Sequence, residues 1–208
     1  MSESIKYILT LTLICFVTAV LLTGVYFLTS PKILAQKEMA EKEALEEVFP
    51  RAGYFEAVEQ EGRPAYFRAY SSADKKDLLG YVFKTAGKGY SSVIEAMSGM
   101  DTAGRITGIK VLAQNETPGL GAKINEILEK RTLAQAIKEL FLNKKKPAEP
   151  AGKPWFCLQF GGRRIEDLTV VKTAAEKNIQ AITGATISSR ALTDSVRKRA
   201  EEILQYER

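Results

Sequence analysis

Apolar positions along this chain change their spacing several times, and each change marks a different kind of element. From Tyr7 to Pro31 no residue is charged. The run YILTLTLICFVTAVLLTGVYFLTSP is apolar on every face, so it reads as a helix with no wet side. Its about 25 positions would span roughly 37 Å as a helix, enough to cross a bilayer. Threonines inside it can return their hydroxyls to the helix backbone, and Tyr26 and Phe27 near one end suit a membrane interface. A cleaved leader would have a shorter apolar core followed by small residues, whereas Phe27 to Lys32 reads FLTSPK. An uncleaved anchor over residues 1–30 is therefore expected. Lys6 on one side and Lys32 and Lys37 on the other leave its orientation undecided by charge.

Beyond Pro31 the segment KILAQKEMAEKEALEEVF is rich in Ala, Glu, Lys and Leu, which favours a helical stalk over residues 31–50. Pro50 and Gly53 end it. From there to Ala113 the pattern shortens to runs with β-branched and aromatic residues: EAVEQ, PAYFRAY, LLGYVFKTAG, SSVIEAMSGM and RITGIKVLA. These read as antiparallel strands, with a turn at Asp101 to Gly104. Apolar spacing of three and four returns in INEILEK and TLAQAIKELFL, which predicts helices. Lys144 to Pro154 reads as a loop, Trp155 to Phe160 and Asp167 to Lys172 as two more strands. Ile187 to Tyr206 reads as a helix with Leu192, Val196, Ala200 and Ile203 on one face. The fold class is α+β: one N-terminal transmembrane helix, then one mixed domain over residues 51–208.

Composition narrows the chemistry. The chain has no histidine, which excludes a Ser-His-Asp triad, a His-ligated haem and the usual His-containing zinc site. Its two cysteines, Cys15 and Cys157, cannot hold a four-cysteine iron-sulfur cluster and read as free thiols. Redox chemistry on this chain would need an organic cofactor. The formal charge of +5 is spread among many acids, a pattern unlike that of a nucleic-acid binder.

Two short segments carry candidate chemistry. Ile182 to Arg190 reads ITGATISSR and places four hydroxyls, on Thr183, Thr186, Ser188 and Ser189, at the start of the last helix. Open amides there, the positive end of the helix dipole and the small Gly184 and Ala185 suit a phosphate. The same residues serve equally as plain helix caps. Upstream, Glu116 to Gly121 reads ETPGLG. Pro118 fixes one φ, Gly119 and Gly121 allow close backbone approach, Glu116 and Thr117 offer polar groups to the edge of a planar heterocycle, and Leu120 could lie against the ring. An ordinary turn is the alternative. Lys172 is either a phosphate contact or a solvated strand-end lysine.

TGATISS and ETPGLG, together with an N-terminal anchor, resemble the FMN-binding domain family of membrane flavoproteins, and within it the G subunits of Rnf electron-transport complexes. The related C subunits of sodium-translocating NADH:quinone reductases share the pattern. The resemblance implies FMN joined covalently, as a phosphoester, to Thr186. It also implies cofactor contacts from Glu116, Thr117, Gly119, Leu120, Lys172, Thr183, Gly184, Ala185, Ser188 and Ser189. By the same resemblance the chain is a relay between ferredoxin and NAD+ in a complex that moves Na+ or H+, and is not a complete catalyst alone. Its implied partners are other membrane and peripheral subunits, a flavin transferase and membrane lipid. Its implied place is the cytoplasmic membrane, with the domain on the periplasmic or outer side. Two departures stand out: Gln180 occupies a position that is commonly acidic in the family, and Gln114 one that is often histidine. A stand-alone protein binding FMN non-covalently, and an anchored binding or sensory module without redox role, are the alternative readings.

Overall fold

A computed structural model describes residues 3–60, 63–127, 152–173 and 178–207 of the chain. Its first element, α1, is one helix over Glu3–Val48 that passes through Pro31 without ending. The hydroxyls of Thr10, Thr18, Thr23 and Thr29 each donate to the carbonyl four residues back at 2.8 to 3.0 Å. The side-chain polarity of the apolar stretch is thus returned to its own backbone. Among the described residues α1 is the one helix long and apolar enough to cross a membrane.

Two compact units divide the chain, Met1–Lys42 and Glu43–Arg208. The second starts ahead of residue 51, where the sequence pattern expects the domain to begin. Ala44, Val48 and Phe49 are buried in it, packed with Ala69, Val82 and Met97. Thr107 donates to the Val48 carbonyl at 2.6 Å. A Cβ on Gly99 would lie 2.8 Å from that same carbonyl oxygen, so the close crossing of chain over sheet needs a glycine there.

Five strands form an antiparallel meander in chain order: β1 (Tyr54–Gln60), β2 (Arg63–Tyr70), β3 (Leu78–Lys88), β4 (Val93–Asp101) and β5 (Ile106–Ala113). All five coincide with the short β-branched and aromatic runs of the sequence. Tyr81 and Phe83 belong to one core and Val82, between them, to the other, so both faces of the sheet are covered. The Asp101 turn forms as its residues predict. Asp101 Oδ1 accepts from the amides of Ala103 and Arg105 at 2.9 and 2.7 Å, and Gly104 takes a φ of 77°.

The larger core lies between the sheet and the last helix, labelled α3 (Thr186–Tyr206), whose Leu192, Val196, Ala200 and Ile203 are all buried. Its far end is pinned by Glu207, which accepts from Arg68 at 2.8 Å and from Tyr66.

The segment Trp155 to Phe160 is not a strand. Trp155–Leu158 forms a helical turn, α2, entered through Pro154. Phe156 and Phe160, four residues apart, are both fully buried with rings 5.6 Å apart, which is a helical spacing. Asp167 to Lys172 shrinks to β6 (Val170–Val171), preceded by a 3-10 turn at Ile165–Asp167. It pairs in parallel with β7 (Ile179–Gln180), which the sequence pattern did not reveal. INEILEK opens on a 3-10 turn at Gly121–Asn125 rather than an α-helix. Glu126 and Ile127 follow outside any helix, and residues 128–130, the TLAQAIKELFL helix and residues 144–151 of the loop lie outside the described residues. Both cysteines are free thiols, Cys157 buried and Cys15 exposed.

Candidate functional site

Both chemistry-bearing segments leave the edges of regular structure and meet. After β5, Glu116 to Gly121 turns back on itself: the Leu120 amide donates to the Thr117 carbonyl at 3.2 Å, with Gly119 at φ 77°. Proline second and a positive-φ glycine third is the residue order of a type II turn. After β7, Ala181 and Ile182 enter the second segment, where Gly184 takes φ 81° and α3 begins at Thr186. Leu120 Cδ2 lies 3.0 Å from where a Cβ on Gly184 would sit, so the two loops touch here, and the φ of 81° is what favours a glycine at this position.

A buried carboxylate joins them. Glu116, 4% exposed, takes the Ser188 hydroxyl on Oε2 at 2.5 Å. The same oxygen accepts the Tyr90 amide at 3.2 Å, and Oε1 accepts the amides of Ser91 and Ser92 at 3.0 and 2.8 Å. Burial pushes the Glu116 carboxyl up, but the bonds from Ser188 and from the Ser92, Ser91 and Tyr90 amides outweigh it and hold the group below its ordinary value. Glu116 therefore stands as an anion that staples the β3–β4 turn to α3. Its carboxylate is spent on the protein, and its partners on that turn were not singled out by the sequence, where Ser91 and Ser92 read as the start of the SSVIEAMSGM strand.

The four hydroxyls at the start of α3 separate into two pairs. Ser188 is taken by Glu116, and Ser189 is buried, accepting from the Ile182 amide at 3.0 Å and donating to the Ala185 carbonyl at 2.9 Å. Thr183 is exposed and Thr186 half-buried, and neither hydroxyl has a hydrogen-bond partner among the described residues. No side chain caps α3, whose N-cap residue is Ala185. The capping reading thus loses its participants, and the first amides of the helix stay open beside the small Gly184 and Ala185.

Thr117 is exposed, its hydroxyl 3.1 Å from that of Ser91. Gly119 is exposed with open space around it, and Leu120 is 46% exposed. Lys172 is exposed just after β6, whose last residue, Val171, accepts the Ala181 amide at 2.8 Å, one step before the second segment. Gln180 is engaged through its backbone by the side chain of Gln159, at 2.8 Å for its amide.

An uncapped helix start beside positive-φ glycines, with a threonine at its first position that has no partner among the described residues and an exposed leucine opposite, gives this α+β domain a corner whose chemistry suits a phosphate-bearing ligand with an apolar body. The chain belongs to the FMN-binding domain family, which residues 89–201 match; residues 1–48 match the RnfG N-terminal region. It is 29% identical, over 94% of its length and 89% of the relative's, to the G subunit of the proton-translocating ferredoxin:NAD(+) oxidoreductase complex of Clostridium ljungdahlii. It is 30% identical to the G subunit of the Na(+)-translocating ferredoxin:NAD(+) oxidoreductase complex of Acetobacterium woodii, over 74% of this chain and 69% of the other. The G subunit of the ion-translocating oxidoreductase complex of Methanosarcina acetivorans is 28% identical over 99% and 97%. Among solved structures, NqrC of Shewanella oneidensis is 15% identical, with a TM-score of 0.43, over 76% of this chain and 74% of that one.

The residues present fit FMN. Open helix amides suit its phosphate, and the bare backbone at Gly184 leaves room for that group to approach. The exposed Leu120 gives apolar surface to its ring.

Proposed function

We propose that this chain is the membrane-anchored flavin subunit of an Rnf-type complex, a relay between ferredoxin and NAD+ in an assembly that translocates Na+ or H+, with FMN held on Thr186 through a phosphoester. The observation that carries the reading is the separation of the hydroxyls: Ser188 and Ser189 are committed to the fold, while Thr186, the first residue of α3, has no hydrogen-bond partner among the described residues. The complexes named for its relatives supply the wider role.

When bound, FMN supplies one- and two-electron chemistry that no side chain here can supply. The protein's part is to hold it. The open amides and dipole of α3 receive the phosphate, Gly184 lets it approach, and Leu120 faces the same junction. A tether keeps the cofactor's effective concentration high at the handover point. Attachment forms a bond from Thr186 Oγ1 to phosphorus, breaks the bond from that phosphorus to the donor's leaving group and releases the hydroxyl proton. Threonine needs a base for this, and the described residues put none in contact with Thr186, which supports a separate flavin transferase as the catalyst.

The test is the full-length protein made with and without a flavin transferase. With it, flavin fluorescence should stay with the band on a denaturing gel, and peptide mass mapping should place FMN less one water between Lys177 and Arg190. Thr186→Val should abolish the adduct and Thr183→Val should keep it. Colour that is lost on denaturation would replace this reading with a non-covalent FMN protein, and a colourless protein with a binding module.

A further inference from the structure

Tyr90 is the most exposed aromatic among the described residues of the second unit, at 74%. It sits on a turn that is anything but loose. The Gly89 amide donates to the Ser92 carbonyl at 2.8 Å, and the next three amides, of Tyr90, Ser91 and Ser92, all run to the Glu116 carboxylate. A surface aromatic carried on a floppy tip needs no explanation, since single exposed apolar groups are ordinary. One whose backbone is fixed by a buried anion is held in one place.

That place is beside the first turn of α3, the turn that Thr186 opens. Glu116 Oε2 accepts both the Tyr90 amide and the Ser188 hydroxyl, so those two atoms are no further apart than the two bonds laid end to end. Ser188 lies two residues after Thr186 on the first turn of α3. Two more exposed apolar side chains flank the junction: Leu120, against Gly184, and Ile187, next to Thr186, at 46% and 56% exposure. Three segments of chain thus carry exposed apolar groups at the corner that Glu116 and Ser188 tie together, on the turn of α3 that Thr186 opens. A phosphate-tethered planar heterocycle supplies the missing cover, its anionic end at the helix amides and its ring on this apolar rim.

Resting on the reading of Thr186 above, we propose that Tyr90 is a contact surface for the isoalloxazine ring of the tethered flavin, held beside α3 by the Glu116 carboxylate. Glu116 is then a positioning residue rather than a cofactor contact. Tyr90 offers a large flat face with few rotatable bonds, which suits a ring that must stay fixed while electrons pass.

The experiment uses the full-length, flavin-loaded chain in detergent and reads visible circular dichroism and quenching of flavin fluorescence by iodide. Tyr90→Ala should change the dichroism and raise the iodide quenching constant by about twofold, because an aromatic face no longer covers the ring. Tyr90→Phe, which keeps that face, should hold both signals near wild type. Glu116→Gln should move them in the direction of Tyr90→Ala while mass mapping still finds the adduct on Thr186. Far-ultraviolet dichroism checks the fold of each variant. Loaded Tyr90→Ala protein with unchanged dichroism and quenching would overturn the contact and leave the attachment site standing. An unmoved Glu116→Gln signal would overturn the positioning role. A wild-type protein without the adduct on Thr186 would instead overturn the attachment reading on which the contact rests.

Discussion

Ser188 donates its hydroxyl to Glu116 Oε2 at 2.5 Å, joining residues 72 positions apart, and this bond is where the two motifs of the chain become one site. A charge-assisted bond between buried partners is stronger than a neutral one and costly to leave half made. It makes the loop after β5, the β3–β4 turn and the first turn of α3 a single rigid corner.

Stability should therefore depend on acid in a defined way. Burial raises the Glu116 and Glu207 carboxyls, and the hydrogen bonds from Ser188 and the turn amides, and from Tyr66 and Arg68, lower them further than burial raises them. A group whose folded value lies below its ordinary 4.5 adds stability that is whole above that value and is lost as pH falls through the lowered one. Melting temperature should drop as pH falls from about 5 toward 2, and Glu116→Gln should flatten that drop. At neutral pH the same variant should lose about 1.5–3 kcal/mol in chemical denaturation.

Two glycines in one loop should behave differently. A Cβ on Gly121 would lie 2.6 Å from Glu116 Oε2 and 2.8 Å from Ser188 Oγ, inside the bond that joins the motifs. A Cβ on Gly119 meets open space, so Gly119→Ala suffers only from its φ of 77°, a cost of about 1 kcal/mol. Gly121→Ala should destabilise the domain more and cut flavin incorporation by the transferase, measured as in-gel fluorescence per mole of protein. Equal losses in the two variants would show that the Glu116–Ser188 bond has no special role in loading.

Cys157 should be unreactive in the folded protein. Burial pushes its thiol up to about 12, with the Glu47 carboxylate adding to the effect. At pH 8 it stays protonated and shielded, so iodoacetamide should modify it only after denaturant is added. Intact-mass measurement before and after unfolding gives the answer.

Orientation is the remaining expectation. With the domain on the outer face of the cytoplasmic membrane, protease added to intact spheroplasts should digest it down to the anchor. Cleavage seen only in inverted vesicles would place it on the other side.

How much of this was readable beforehand follows from the range of the forces involved. The uncharged run from Tyr7 to Pro31, the β-branched and aromatic runs of β1 to β5 and the spacing of Leu192, Val196, Ala200 and Ile203 are local patterns, because burial of a helix or strand face is set by residues a few positions apart. The turn at Asp101 and the glycines of the two motifs were legible for the same reason. Phe156 and Phe160 misled because a short segment of apolar residues fits both periods, and only the closure of the core over them selects the helical one. The pairing of β6 with β7, the reach of the domain back to Ala44 and the capture of Ser188 by Glu116 have no local signature. Each is a contact between segments far apart in sequence, decided by which backbone amides and hydroxyls folding brings to one place. The sequence alone determined that a threonine-rich helix start and a glycine-proline loop exist. Tertiary structure decided that Ser188 and Ser189 hold the fold while Thr186 has no partner among the described residues, because a buried carboxylate takes Ser188 and the backbone beside it takes Ser189.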